Sequence, residues 1–339
     1  MIAAFVSLTE AVLFALTGGG ARKPSDRMLI KVIGAGAGGG LPQWNCNGRN
    51  SADARNGVPT VKPRSQASVA VSADGRQWVL LNAAPDLRQQ INETLELQPD
   101  RNGPPRNSPI KAVVLSNGDV DAVAGLLCLR EGQPFTVYGS ARVLDVLAGN
   151  SIFDVLNPDL VKRVPMELGK AFAVQGPDGP VGLTAAVFTV PGKIPLYLED
   201  EEKGTGGSFG TEEGDTVGLK VTEDASGKHF FFIPGCSRVD DALRARLRGA
   251  PLLFFDGTLY TNDEMIAQGL MNKTGDRIGH MNMSGPDGTV EQLAPLGIAR
   301  KIFIHINNSN PVLRDDSPER AAVEAAGWEV SYDGMAVKL

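Results

Sequence analysis

Three short apolar runs, KAVVLSN (111–117), PLLFFD (251–256) and KIFIHIN (301–307), constrain this chain most, because each closes on Asn, Asp or His. Runs rich in β-branched and aromatic residues and bounded by turn formers read as strands. The same signature predicts strands at 28–34, 66–72, 77–83, 110–116, 135–139, 183–190, 216–222, 228–233, 252–256, 301–306 and 328–332. Helical spacing is clearest at 86–97, 120–130, 141–149, 239–248, 261–268 and 317–326. In the last, Ser317 suits the N-cap and Pro318 the first turn. Two strand-rich halves with helices outside predict a layered α/β sandwich.

A chain of 339 residues, 42% of them hydrophobic, can bury a large core. Its net charge of −6, with no segment of clustered Lys and Arg, argues against a nucleic-acid partner. Three widely spaced cysteines, Cys46, Cys128 and Cys236, speak against a disulfide framework and fit a reducing, cytoplasmic setting. The run AVLFALT (11–17) is preceded by no Lys or Arg and by Glu10, unlike a secretion signal. It is also too short to span a bilayer, which takes about 20 apolar residues, so no membrane partner is expected. Residues 1–27 read as a loose extension and 28–339 as a single domain, with either Met1 or Met28 as the native start. The acidic, Gly-rich stretch 199–215 reads as a surface loop, with a lid as the alternative.

Chemistry-bearing candidates are few, since the chain has only three histidines. Asp256 and His305 sit at the ends of apolar strands, Asp119 and Asp121 follow a third, and His280 lies in a glycine-containing loop. Carboxylates and imidazoles delivered to one place suit a first-row metal such as iron or zinc. Taken singly, each has a plainer role. Asp119 and Asp121 could cap the following helix, Asp256 could be a turn residue, and a strand-end histidine is more often structural. His229 has no acidic company and reads as structural. Capping does not explain why several strands each end in a ligand type. Gly34, Gly36 and Gly39 fit G-x-G-x-x-G, but the stretch runs into Pro42 and turn formers instead of opening a helix, so a dinucleotide site is not expected.

The segments IKVIGAGAGGGLPQWNCN, LLNAAPDLRQQI, SNGDVDAVAGLLCLREGQPF, FFIPGC, FFDGT, KTGDRIGHMNMSG and IHINNSNPVL occur in order between Met28 and Leu339. Together they resemble the PqqB family of pyrroloquinoline quinone (PQQ) biosynthesis. The resemblance implies a metallo-β-lactamase-like αββα four-layer sandwich and an Fe(II) site, or zinc, that hydroxylates a tyrosine-derived, dipeptide-like PQQ precursor alongside other PQQ-biosynthesis proteins. It also implies Asp119, Asp121, Asp256, His280 and His305 as metal ligands, with Asp121, Asp256, His280 and His305 in the catalytic set. The family motif N-x-D-x-D-H is matched at Asn117, Asp119 and Asp121, but its final His is Ala122 here. A family C-x-C-x-x-C run holding structural zinc is reduced to Cys46, with Gly48 and Ser51 at the other positions. One thiolate cannot hold a tetrahedral zinc, so that structural site is expected to be absent. The loss at Ala122 admits two readings: an oxygenase with a thinner ligand set, or a carrier of PQQ or its precursor, including delivery to the periplasm. Hydrolysis is weaker, because Asn117 and Asp119 stand where hydrolases of this fold use histidines.

Overall fold

Strands that are apolar on both faces need cover on both sides, and the architecture supplies it. The computed structural model describes residues 28–200 and 211–339. The expectations for 1–27 and for 201–210 of the acidic insert fall outside these residues. Numbered along the chain, the strands form two seven-stranded sheets. One runs β14 (Ala336–Lys338), β1 (Leu29–Gly34), β2 (Ser68–Ser72), β3 (Trp78–Leu81), β4 (Ile110–Val114), β5 (Phe135–Ser140), β6 (Val161–Met166). The other runs β13 (Trp328–Val330), β12 (Lys301–Ile304), β11 (Leu253–Asp256), β10 (His229–Ile233), β9 (Val217–Glu223), β8 (Gly179–Thr189), β7 (Ala171–Gly176). Each sheet is antiparallel in one half and parallel in the other: β3 to β6 and β10 to β13 are the parallel runs.

Successive strand side chains point to opposite faces, and this sorts the apolar runs between layers. In β10, Phe230 and Phe232 enter the core between the sheets, while Phe231 and Ile233 enter the core beneath the helices of the second sheet. In β4, Ala112 and Val114 face inward, and Ile110 and Val113 face the helices of the first sheet. The helices are α1 (Arg49–Arg55), α2 (Leu87–Glu93), α3 (Val120–Val123), α4 (Ala141–Gly149), α5 (Asp241–Leu247), α6 (Glu264–Ala267), α7 (Gly275–Ile278), α8 (Thr289–Leu293) and α9 (Pro318–Ala325). Residues of α2, α3 and α4 pack on the first sheet, and residues of α1, α5, α8 and α9 on the second. The result is an αββα sandwich.

The differences from the sequence expectation have local causes. Strands β6, β7 and β14 are sheet edges: β6 carries Lys, Arg and Pro, and β7 and β14 leave half or more of their side chains exposed. The helix expected over 86–97 breaks at Thr94, whose backbone is extended, and resumes as a 3₁₀ turn at Leu95–Leu97. The helix expected over 120–130 keeps α-geometry only through Val123 and continues as 3₁₀ over Ala124–Leu129. There the backbone bonds elsewhere: Ala83 N donates to Ala122 O (2.7 Å) and Gly125 N donates to Ala83 O (2.8 Å). This stitches α3, and with it the aspartate segment, to the end of β3. Ser317 Oγ accepts from Arg320 N as the cap of α9.

Candidate metal centre

The ends of β4, β11 and β12, all in parallel halves of the sheets, gather on one rim. Asp256 is the last residue of β11 and is fully buried. His305 follows β12 with φ of 60°, a left-handed backbone that costs a non-glycine residue about 1 kcal/mol and turns its side chain off the strand's alternation. His280 is set by α7, whose cap is Thr274 and whose end is Gly279 at φ 82°; His280 N then donates to Gly275 O (3.0 Å). Asp119 occupies the N-cap position of α3 but makes no side-chain capping bond. Asp121, in the first turn, accepts instead from His305 Nε2 at 2.8 Å. Helix capping is therefore not what holds these acids.

Among the described residues, ligand atoms of Asp256, His280 and His305 all lie within 4.8 Å of one another. His280 Nδ1 donates to Asp256 Oδ2 at 2.6 Å, and the two imidazoles stack with centroids 5.1 Å apart. Asp256 is fixed from behind by the backbone N–H groups of Cys236 (2.9 Å) and Thr258 (3.0 Å). Thr258 Oγ1 lies 2.6 Å from Asp256 Oδ1, 3.0 Å from His280 Nδ1 and 2.9 Å from His305 Nδ1. A hydroxyl has one proton and two lone pairs. Donating the proton to the carboxylate leaves the oxygen to accept from His305 Nδ1–H, and His280 Nδ1–H is shared between Asp256 Oδ2 and this oxygen. Burial opposes charge on Asp121 and on His305, but their hydrogen bond and mutual attraction outweigh it. The carboxyl is held below its usual range and the imidazole above its own. Two imidazoles and two oriented carboxylates are a donor set that fits a first-row divalent ion.

Asp121, His280 and His305 line a cleft of about 580 Å³ that also takes in Asn117, Asp119, Gly38, Tyr197, Lys193, Lys273, Met265, Met271 and Ile278, with Asp256 buried behind it. Asn117 Oδ1 accepts from Asp119 N at 2.9 Å, shaping the turn that carries the acids. The glycine stretch read above as an unsuitable nucleotide loop forms part of this wall: a Cβ on Gly38 would stand 3.5 Å from Asp121 Oδ2. Tyr197 Oη donates to Gly118 O (2.6 Å), and burial together with the Asp119 charge pushes its hydroxyl up to about 12. His229 is outside the cleft, edge-on to Phe231 in β10. Thr258, Tyr197 and the two lysines were not singled out from sequence; only Thr258, two residues after Asp256, had a local signal.

Ala122 is 1% exposed, packs within the apolar layer of α2 to α4, and does not line the cleft. An imidazole there must enter packed hydrocarbon. Ala122→His is expected to lower unfolding stability by about 1–3 kcal/mol with metal affinity unchanged. A gain in metal affinity at unchanged stability would show instead that the side chain reaches the site.

The loop of Cys46, Gly48 and Ser51 keeps its fold by other means. Gly48 N donates to Cys46 Sγ (3.3 Å), and a Cβ at Gly48 would lie 3.2 Å from that sulfur. Gln43 N donates to Ser51 Oγ (3.3 Å), Asn50 Nδ2 reaches the carbonyls of Asn308 and Asn310 (both 2.9 Å), and the Arg55 guanidinium bonds to the carbonyls of Gln43 and Cys46. With one thiol among the three positions, they do not fit zinc.

The described ends of the acidic insert are pinned rather than solvated. Glu199 takes a two-pronged contact from Arg277 (3.0 and 2.9 Å) and one from Lys193 (2.6 Å), which hold its carboxyl down at about 2. Asp215 is gripped by Arg142 (3.0 and 3.3 Å). Beside the cleft, Glu264 in α6 is 5% exposed; burial pushes it up to about 7 despite hydrogen bonds from Ser309 Oγ and the N–H groups of Tyr260 and Thr261. An acid that binds its proton more tightly folded than unfolded loses stability as pH rises between those two values. Wild-type stability should therefore fall between pH 4.5 and about 7 relative to Glu264→Gln, and parallel denaturation profiles of the two would contradict this.

Residues 77–306 match the model of the β-lactamase superfamily domain. The chain is 52% identical over 307 residues to the coenzyme PQQ synthesis protein B of Gluconacetobacter diazotrophicus, covering 90% of this chain and 98% of that protein. It is 51% identical to that of Bradyrhizobium diazoefficiens, covering 92% and 100%. Among solved structures, Zn(2+)-bound PqqB from Methylobacterium extorquens superposes with a TM-score of 0.84 at 47% identity, over 92% of this chain and all of that one. A diphosphatase of the PhnP family, at 20% identity and TM-score 0.62 over 92% and 97% of the two chains, shares the fold. The chain belongs to the coenzyme PQQ synthesis protein B family, within the β-lactamase superfamily fold.

Proposed function

We propose that this protein is an iron-dependent hydroxylase of PQQ biosynthesis acting in the cytoplasm on a tyrosine-derived precursor, with Asp256, His280 and His305 as its metal triad. The observation that carries this reading is the convergence of two imidazoles and one carboxylate within 4.8 Å, with both imidazoles lining a cleft whose walls include Met265, Met271 and Ile278 and the carboxylate buried behind them. Two histidines and one carboxylate are the minimum set of non-haem Fe(II) oxygenases, leaving positions for oxygen and substrate. Bound Fe(II) would supply activation of dioxygen. The chain's own residues do the rest. Asp256 is presented by two backbone N–H groups, and Thr258 orients both rings. Asp121 holds the proton of His305 Nε2 that metal binding would release. Asp119 and Asp121 add negative charge that favours a divalent cation.

Anaerobic loading with Fe(II), followed by turnover of the precursor under isotopically labelled dioxygen, tests the reaction. Labelled oxygen in the product is expected. Zn(II)-loaded protein should give none, because zinc has no redox chemistry. Tight retention of PQQ by a protein that never hydroxylates would favour the carrier reading instead.

A further inference from the structure

Two lysines reach into the cleft, and among the described residues only one has its charge answered. Lys193 Nζ is 2.6 Å from Glu199, which also holds Arg277. Lys273 makes no hydrogen bond or ion pair among the described residues, although it is half-buried and shares the cleft with Met265, Met271 and Ile278. A half-dehydrated ammonium without a partner is unfavourable. The carboxylates nearby are already engaged: Asp121 by His305, Asp256 by His280 and Glu199 by two cations, while Asp119 lies in the field of His305 and is itself not without a partner. The group that would satisfy Lys273 is one the ligand brings.

We propose that Lys273 is the carboxylate anchor of the cleft, and that the site takes a flat aromatic acid. Its ring lies against the Met265, Met271 and Ile278 side of the cleft, and its reacting edge is turned toward His280 and His305. Thioethers suit an aromatic face, since methionine sulfur attracts rings and adapts its shape. The ammonium supplies the orienting charge. This inference rests on the proposed hydroxylase reading, whose substrate it narrows to anionic aromatic compounds.

Titration calorimetry with PQQ, an aromatic tricarboxylic acid, and with its uncharged trimethyl ester tests the anchor on the full chain loaded with Fe(II). Lys273→Met should bind PQQ about ten- to a hundredfold more weakly, the worth of one charged hydrogen bond. Lys273→Arg should stay within a few-fold of wild type, and the ester should bind all three proteins alike. In turnover, Lys273→Met should raise KM and leave kcat nearly unchanged, as loss of uniform binding does. Equal PQQ affinity in wild type and Lys273→Met, PQQ binding to neither, or an equal loss for acid and ester would each overturn the proposal. If wild type binds PQQ in this Lys273-dependent way but never hydroxylates, the reaction fails and the anchor stands. If hydroxylation proceeds with an unchanged KM in Lys273→Met, the anchor fails and the reaction stands.

Discussion

His280→Ala and His305→Ala should each abolish hydroxylation and lower metal affinity by more than about a hundredfold, because merely altering a group that orients a ligand costs about ten- to a hundredfold. The two variants differ in what else they disturb. His280 is held by Asp256 and Thr258, which keep each other and the Cys236 N–H when the ring is gone. Removing His305 strips Asp121 of its hydrogen-bond partner at 2.8 Å and leaves a buried charge uncompensated, so some loss of stability accompanies it. His305→Asn separates the effects, since Asn tolerates the left-handed backbone at φ 60°. It should fold well and still retain no metal. Metal analysis, circular dichroism and product detection on all three variants decide the matter; unchanged turnover in His280→Ala and His305→Asn would remove the assignment.

The largest effect on stability should come from Gly125→Ala, a position that touches neither metal ligand nor cleft. A Cβ there would stand 2.1 Å from Ala84 O and 2.7 Å from Ala83 O, both backbone atoms that cannot rotate aside. Relief requires the 3₁₀ segment to pull away from the end of β3, breaking the bonds of Gly125 and Ala122 to Ala83. The expected cost is about 3 kcal/mol, the upper part of the overpacking range. Since α3 carries Asp121 on the same stitch, metal affinity should fall with stability. Gly149→Ala at the end of α4 is the control, because its Cβ meets nothing within 4 Å and its backbone is not left-handed. It should be neutral or slightly stabilising. Similar melting behaviour of the two variants would mean that the close approach at Gly125 is not structurally required.

What could be read from the residues follows the physics of each element. The central strands were legible because both faces are buried, which leaves runs such as FFFI in β10 without polar interruption. The edges β6, β7 and β14 were not, because an edge strand can leave its side chains exposed and needs no long buried apolar run. The repeated antiparallel-then-parallel order of the two sheets has no trace in the sequence, since topology depends on connections and not on composition. At the rim, Asp121, Asp256, His280 and His305 were visible as chemistry-bearing types at strand ends and in a loop, and the fold brings them together. Tyr197 and Lys273 were not visible. Tyr197 meets Gly118 across 79 residues of chain, and Lys273 matters only because it has no partner among the described residues. Ala122 shows the opposite limit: motif alignment marks it as a vacated ligand position, while packing marks it as a core residue.

The most direct test of the central claim is the metal content per chain after anaerobic loading with Fe(II) and removal of loosely held ion. A single centre built on Asp256, His280 and His305 predicts about one tightly held iron per chain, lost in His280→Ala. No retained iron in the wild-type protein would contradict it.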